Sequence, residues 1–198
     1  MTASVVIPVL NGEPWLDEVL AAVFSQRLDT PLEVIVVDSG SSDRSRDIAR
    51  THGATVIEIA PEEFGHGRTR NLAVARSSGD LVALLTQDAT PAHDRWLHSH
   101  TESFSLDARV GASFGPHLPR PDANPLTTRL LSEFFAGFSP NGEPVLHRRG
   151  DITYLSSNNC CIARAAWEEI PFRDIPYAED QALGADLLAA GWTKVYQP

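Results

Sequence analysis

Glu33-Val34-Ile35-Val36-Val37-Asp38-Ser39-Gly40-Ser41-Ser42-Asp43 decides how this chain is read. An apolar run rich in Val and Ile, stopped by an acid and a set of small residues, has the pattern of a strand buried on both faces. A second stretch repeats it, where Leu81-Val82-Ala83-Leu84-Leu85 runs into Thr86-Gln87-Asp88-Ala89. Two buried strands that end near carboxylates predict one parallel sheet with a polar rim. Ligands of open α/β sheets bind at such a rim, beyond the carboxyl ends of the strands.

Upstream, Ser4 to Val9 predicts a short strand that stops before Asn11-Gly12, a turn pair. Leu16, Val19, Leu20, Val23 and Phe24 then fall on one face of a helix, and Glu13, Pro14 and Asp17 suit its first turn. With Glu33 to Val37 this makes a βαβ unit. Downstream, Asp43 is expected to cap a helix that stops at Gly53, and Ala54 to Ile59 to form a third strand. A loop over 61–67, a helix from Arg68 to Arg76 and a strand from Leu81 to Leu85 follow. Four strands alternating with three helices predict a doubly wound, mostly parallel α/β sheet with helices on both faces.

Past Pro91 the spacing predicts a helix carrying Trp96, Leu97 and Phe104, and a strand from Arg109 to Phe114. A proline-rich loop over 115–122 and a helix from Leu126 to Phe138 come next, then a polar, mobile segment from Ser139 to Gly150. Ser157 to Ala163 reads as a small-residue strand and Arg164 to Ile170 as a short helix. Ala178 to Ala190 reads as a helix stopped by Gly191, and Trp192 opens a last strand.

The composition is that of an ordinary globular protein, with 42% apolar and 21% charged residues in 198. A formal net charge of −10 argues against nucleic acid as a general partner. Cys160 and Cys161 are adjacent and are expected to lie buried on a strand, unbridged, in a reducing cytosol. No basic segment followed by an apolar one opens the chain, and no apolar run approaches the ~18 residues of a membrane helix. The expected location is cytoplasmic.

Several side chains are placed for chemistry. Asp88, at the mouth of a buried strand, suits a hard cation such as Mg²⁺ or Mn²⁺, which is content with one or two protein carboxylates plus phosphate oxygens; it equally suits an acid that only ends a strand. Arg68 and Arg70 sit at a helix start, where they oppose the macrodipole. Either an anion binds there or they are surface arginines. Glu179-Asp180 opens a helix, as a dipole partner or as a general base. His93, His98 and His100 do not share a helix face and read as solvated surface. His66, between two glycines, has no role that pattern supplies.

Together these pieces resemble glycosyltransferase family 2, the inverting enzymes with the GT-A fold. The resemblance rests on Val5-Val6-Ile7-Pro8-Val9-Leu10-Asn11, Val36-Val37-Asp38-Ser39-Gly40-Ser41-Ser42-Asp43, Arg70-Asn71-Leu72-Ala73, the Asp88 strand end and Ala178-Glu179-Asp180. It implies that residues 1–114 form the nucleotide-sugar-binding half and 115–198 the acceptor-side half of one domain, shortened at its C-terminal end. Pro8, Asn11, Asp38, Ser39, Arg70 and Gln87 then fall at the nucleotide-sugar site, Asp88 at a divalent cation (Mn²⁺ or Mg²⁺), and Asp180 at the base that deprotonates the acceptor. Two departures stand out. Ser39 replaces a second acid, and Thr86-Gln87-Asp88 keeps only the last acid of the family's Asp-x-Asp motif. Phe64-Gly65-His66-Gly67-Arg68-Thr69-Arg70-Asn71 with Thr86-Gln87-Asp88-Ala89 further resembles the rhamnosyltransferase branch, which uses dTDP-L-rhamnose in polysaccharide biosynthesis. The implied partners are a nucleotide-sugar (dTDP-sugar first, UDP-sugar next) and a glycan or lipid-linked acceptor, with room for peripheral contact at the inner face of the membrane and for a homodimer. A nucleotide-binding module without transfer activity is the alternative. A nucleotidyltransferase would need a Gly-rich N-terminal loop, which Asn11-Gly12-Glu13-Pro14 does not provide.

Overall fold

The computed structural model describes residues 1–28 and 31–198. Strands and helices alternate as β1 (Ala3–Val9), α1 (Glu13–Phe24), β2 (Leu32–Asp38), α2 (Ser45–His52), β3 (Thr55–Glu58), α3 (His66–Arg76) and β4 (Leu81–Leu84). After them come α4 (Trp96–Glu102), β5 (Val110–Phe114), α5 (Pro125–Ala136), β6 (Val145–His147), β7 (Cys160–Ala163), α6 (Arg164–Glu169), α7 (Glu179–Ala189) and β8 (Thr193–Tyr196).

One eight-stranded sheet runs in the order β3-β2-β1-β4-β7-β5-β8-β6. The first four strands pair parallel, as expected. β7 lies antiparallel between β4 and β5, β8 pairs parallel with β5, and β6 closes the far edge antiparallel to β8. Among the described strands, β7 and β6 run against the rest. The strands are apolar throughout because both faces are covered. Val5, Ile7, Val34 and Val36 pack with Leu16, Val19, Leu20 and Val23 of α1 on one side. Val6, Ile35 and Val37 pack with Ala73 and Val74 of α3 on the other. Alternation of neighbours between two cores is what a period of two dictates for a strand clothed on both sides. Cys160 and Cys161 are both buried and unbridged on β7, as expected.

Four expectations need correction. Asp43 is not the cap of α2: that position is Arg44, and Asp43 accepts from the Ser45 N–H at 2.9 Å and from the Glu13 N–H at 3.0 Å, so it joins α1 to α2. α3 begins at His66, two residues before Arg68, because Gly65 is extended and accepts the Thr69 N–H. The segment 139–150 is not a mobile loop throughout, since Val145–His147 pairs with β8 and stacks His147 on Phe138. Finally, His100 is buried, not solvated. Short polar strands carry little periodicity, and their pairing depends on a partner distant in sequence.

Candidate active site

The parallel strands deliver their carboxyl ends to one rim. β2 ends at buried Asp38, whose Oδ1 accepts the Gly40 and Ser41 N–H groups at 3.1 and 2.9 Å. Gly40 permits this turn, with φ at +97°. Oδ2 of Asp38 is buried and has no partner among the described residues. Around it the other expected nucleotide-side residues tie the loops together. Ser39 turns its hydroxyl onto the Val9 carbonyl at 3.1 Å. Asn11, at φ +50°, accepts from the Ser42 N–H at 2.9 Å. Gln87 brackets the Leu10 backbone, accepting its N–H at 2.8 Å and donating to its carbonyl at 3.1 Å. Half-buried Pro8 lies opposite Val37 in the β1–β2 register. The arrangement fixes the backbone and leaves one carboxylate oxygen of Asp38 as acceptor for an N–H or O–H donor.

Two clefts open beside this rim, and neither is lined by Pro8, Asn11, Asp38, Ser39 or Gln87. The larger, about 600 Å³, contains Asp88 together with His117, Arg120, Asn158, Asn159 and Gln197. The Asp88 side chain is exposed and makes no hydrogen bond or ion pair among the described residues; only its carbonyl meets the Arg120 guanidinium, at 3.4 Å. A free oxygen ligand in a roomy cleft fits a divalent cation that takes its other ligands from phosphate and water. No cluster of three or more His, Cys, Asp or Glu groups is present among the described residues. Arg120 lies over the Trp15 ring at 4.4 Å and pairs with Glu18 at 3.3 Å.

Buried His100 supports the wall of this cleft. Burial pulls its pKa down to about 4, so it is neutral at pH 7. Its Nδ1 meets the Ser113 hydroxyl at 2.5 Å and its Nε2 meets Asn159 Oδ1 at 3.0 Å. The amide oxygen can only accept, and it also takes the Trp96 indole N–H at 2.8 Å. Nε2 therefore carries the proton. Asn159 donates in turn to the Pro116 carbonyl at 2.7 Å, which fixes the loop that leads to His117.

The smaller cleft, about 280 Å³, is built from His66, Arg70, Thr86, Ser156–Asn158 and Tyr177–Asp180. Thr86 and Asn158 line both clefts. Buried Arg70 donates to Glu179 at 2.6 Å and to the His66 carbonyl at 3.1 Å. Ala178 takes the left-handed conformation, φ +60°, which costs about 1–2 kcal/mol for a residue with a Cβ. That turn starts α7 so that Glu179 faces inward to Arg70 while Asp180 lines the cleft. Ser157 holds Asp180 from below, its N–H and hydroxyl reaching Oδ2 at 3.0 and 3.2 Å. Arg68 stays exposed and pairs with Asp174 at 3.1 Å. The arginines at the start of α3 thus meet acids from the segment around α7. Asn71 completes the docking, accepting from the Trp167 indole at 2.8 Å and the Phe172 N–H at 3.0 Å. Gly67 sits against this segment so closely that a Cβ would stand 2.0 Å from the Arg173 carbonyl oxygen.

The fold therefore brings Arg70 and Asp180 to one cleft and Asp88 to the neighbouring one, and sets Asp38 with its supports on the adjoining rim. Sequence reading missed Ser157, Asn158, Asn159, His117 and Tyr177. A signal existed for three of them: Ser157-Asn158-Asn159 is a polar run directly before a buried strand. Because β7 is antiparallel, its N-terminal end shares the rim with the carboxyl ends of the parallel strands.

The fold is that of the GT-A glycosyltransferases. Solved structures that it resembles include S. aureus TarS 1-349, with a TM-score of 0.78 at 20% identity over 99% of this chain and 58% of that one. The mannosyltransferase PcManGT from Pyrobaculum calidifontis, solved in complex with GDP-Man and Mn²⁺, gives 0.74 at 20% identity over 100% of this chain and 55% of that one. The chain belongs to glycosyl transferase family 2, whose model matches residues 4–167. It is 32% identical over 87% of its length to the O-antigen chain rhamnosyltransferase WbaN of Salmonella anatum, covering 56% of that protein. It is 30% identical over 99% of its length to RfbN of Salmonella typhimurium, of the same description, covering 64% of it. No helix among the described residues is long and apolar enough to cross a membrane.

Proposed function

We propose that this chain carries the transfer site of an inverting glycosyltransferase that moves L-rhamnose from dTDP-L-rhamnose to a hydroxyl of a glycan or lipid-linked acceptor. The observation that carries the reading is Asp180, presented to a cleft that shares the Thr86 and Asn158 wall with the cleft of Asp88. The relatives described as rhamnosyltransferases support the sugar. Residues 1–114 hold the donor and 115–198 the acceptor side.

Asp38 Oδ2 accepts a hydrogen bond from the nucleoside, on a loop held rigid by Pro8, Asn11, Ser39 and Gln87. Arg70, with Nη1 bonded to Glu179 and Nε buried without a partner among the described residues, holds the start of α7 beside the donor and adds no net charge to the cleft. Asp88 would hold the Mn²⁺ or Mg²⁺ ion, which supplies charge neutralisation of the diphosphate leaving group when bound. Asp180 takes the proton of the acceptor hydroxyl as its oxygen bonds to the anomeric carbon. The bond from that carbon to the diphosphate breaks on the opposite side, with inversion, and dTDP leaves.

Calorimetric titration of dTDP, UDP and GDP, each with and without Mn²⁺, tests this. Metal-dependent binding with dTDP preferred, lost in Asp88→Ala, is the expected result. Preference for UDP or GDP would keep the transferase and discard the rhamnose donor. Binding of nucleotide without any sugar transfer would leave a nucleotide-binding module in its place.

A further inference from the structure

The smaller cleft contains a feature that the transfer chemistry does not use. Tyr177 is 79% exposed, yet it is part of the cleft wall three residues before Asp180. A single exposed aromatic is ordinary on a protein surface. This one directly precedes Ala178 in its left-handed turn at the start of α7, and it lines the same cleft as the Asp180 carboxylate. Across the cleft, His66 is also exposed and packs edge-on against Phe64 at 5.1 Å between ring centres.

The charges of the cleft are as informative as its shape. It contains one arginine against two carboxylates. The Arg70 guanidinium is buried and bonded to Glu179 at 2.6 Å, which leaves Asp180 as the charge that a ligand meets. A phosphate or other anion entering here would face a like charge with the cation already engaged. Apart from Ala178, the remaining lining, Thr86, Ser156, Ser157 and Asn158, consists of neutral hydroxyls and an amide. Neutral hydrogen-bonding groups beside one exposed aromatic face suit a molecule with many hydroxyls and one apolar face. The ring face is electron-rich and attracts the polarised C–H bonds of such a face.

We infer that the smaller cleft is a subsite for an uncharged pyranose, with Tyr177 as its stacking platform and as a specificity-determining residue. The unit of the acceptor that receives the transferred sugar is then a neutral sugar ring, not a phosphate-bearing group. This rests on the transferase reading above, through the role of Asp180.

The test uses the whole chain labelled with 3-fluorotyrosine. Its three tyrosines give three fluorine resonances, and Tyr177→Phe identifies the exposed one. Methyl α-L-rhamnopyranoside, methyl α-D-mannopyranoside and methyl α-D-galactopyranoside are titrated separately, with glycerol 3-phosphate and decyl phosphate as charged probes. The expected result is a saturable shift of the Tyr177 resonance with at least one glycoside and none with either phosphate. Saturation-transfer spectra should show that Tyr177→Ala weakens that glycoside about three- to tenfold, while the thermal midpoint is unchanged. No movement with any glycoside, or movement with the phosphates, overturns the inference. Calorimetry of dTDP with Mn²⁺ on the same samples separates the two failures. Nucleotide binding without glycoside binding sinks the subsite alone, and absence of both sinks the transferase reading with it.

Discussion

The rim of this sheet is made in two ways. From β1 to β4 the strands are parallel, and each delivers its C-terminal end, so the site residues close an apolar run: Asp38 at the end of β2, Asp88 shortly after β4. From β7 onward the direction is mixed, and the rim is reached from the N-terminal side of β7 and the first turn of α7, through Ser157, Asn158, Glu179 and Asp180. The first region is held by the short-range Asp38 turn and by hydrogen bonds between neighbouring strand ends, the longest of which joins Gln87 to Leu10 across 77 residues. The second is held by bonds across more than a hundred residues, Arg70 to Glu179 and Asn71 to Phe172. One half of the site is therefore set where the ends of adjacent parallel strands meet, and the other exists only when α3 and α7 have docked.

The sharpest break in that comparison is expected at Asp180. Asp180→Asn keeps the shape and removes the base, and kcat for transfer should fall about 10²- to 10⁴-fold with little change in the KM of the nucleotide-sugar. A variant as active as the parent would remove Asp180 from the chemistry. Next in size is the docking itself. Glu179→Ala leaves Arg70 buried with no carboxylate, and urea unfolding should show a loss of about 3–5 kcal/mol. Arg70→Met together with Glu179→Leu should recover much of that, because no lone buried charge remains.

Gly67→Ala probes the same junction from its backbone. A methyl group 2.0 Å from the Arg173 carbonyl oxygen cannot be accommodated without moving the segment before α7. A loss of about 1–3 kcal/mol is expected, visible as a lower thermal midpoint. A matching change at Gly53, which has open space but φ +92°, should cost only the backbone strain of about 1–2 kcal/mol. Equal midpoints for Gly67→Ala and the parent would show that α3 and this segment do not pack as described.

The smallest effect concerns Lys194, the chain's one lysine, buried on β8 with Nζ donating to the Tyr154 carbonyl at 2.5 Å. Burial pulls its pKa down from 10.5 to about 7. The unfolded chain therefore binds more protons than the folded one between these values, and stability rises with pH across that window. Below about pH 7 the penalty is fully present. Lys194→Met should flatten this slope and, after the lost hydrogen bond is set against it, add about 1 kcal/mol at pH 7. Urea midpoints at pH 7 and 9 check it. An unchanged slope would place the Lys194 charge in contact with solvent.

The same division explains what could be read in advance. The βαβ units and their buried strands follow from short-range pattern, and the structure places them within a residue or two of expectation, whereas β7 starts at Cys160, three residues after the expected Ser157. Arg70-Asn71 was visible as a motif, but its partners Glu179 and Phe172 were not, since nothing local pairs residues so far apart. A lone histidine has no periodicity, so His100 reads as surface from sequence. Its burial depends on Ser113 and Asn159 arriving from two other strands' ends.

What the sequence determined by itself is the α/β alternation, the two-faced burial of its strands and the position of acids after them, because apolar period and turn chemistry act over a few residues. Only the tertiary structure decided that β7 enters antiparallel, that Arg70 is neutralised by Glu179, and that Tyr177 and Asp180 share a cleft. Those outcomes depend on strand direction and on burial of charge, which are properties of contacts between distant segments and not of any stretch of chain alone.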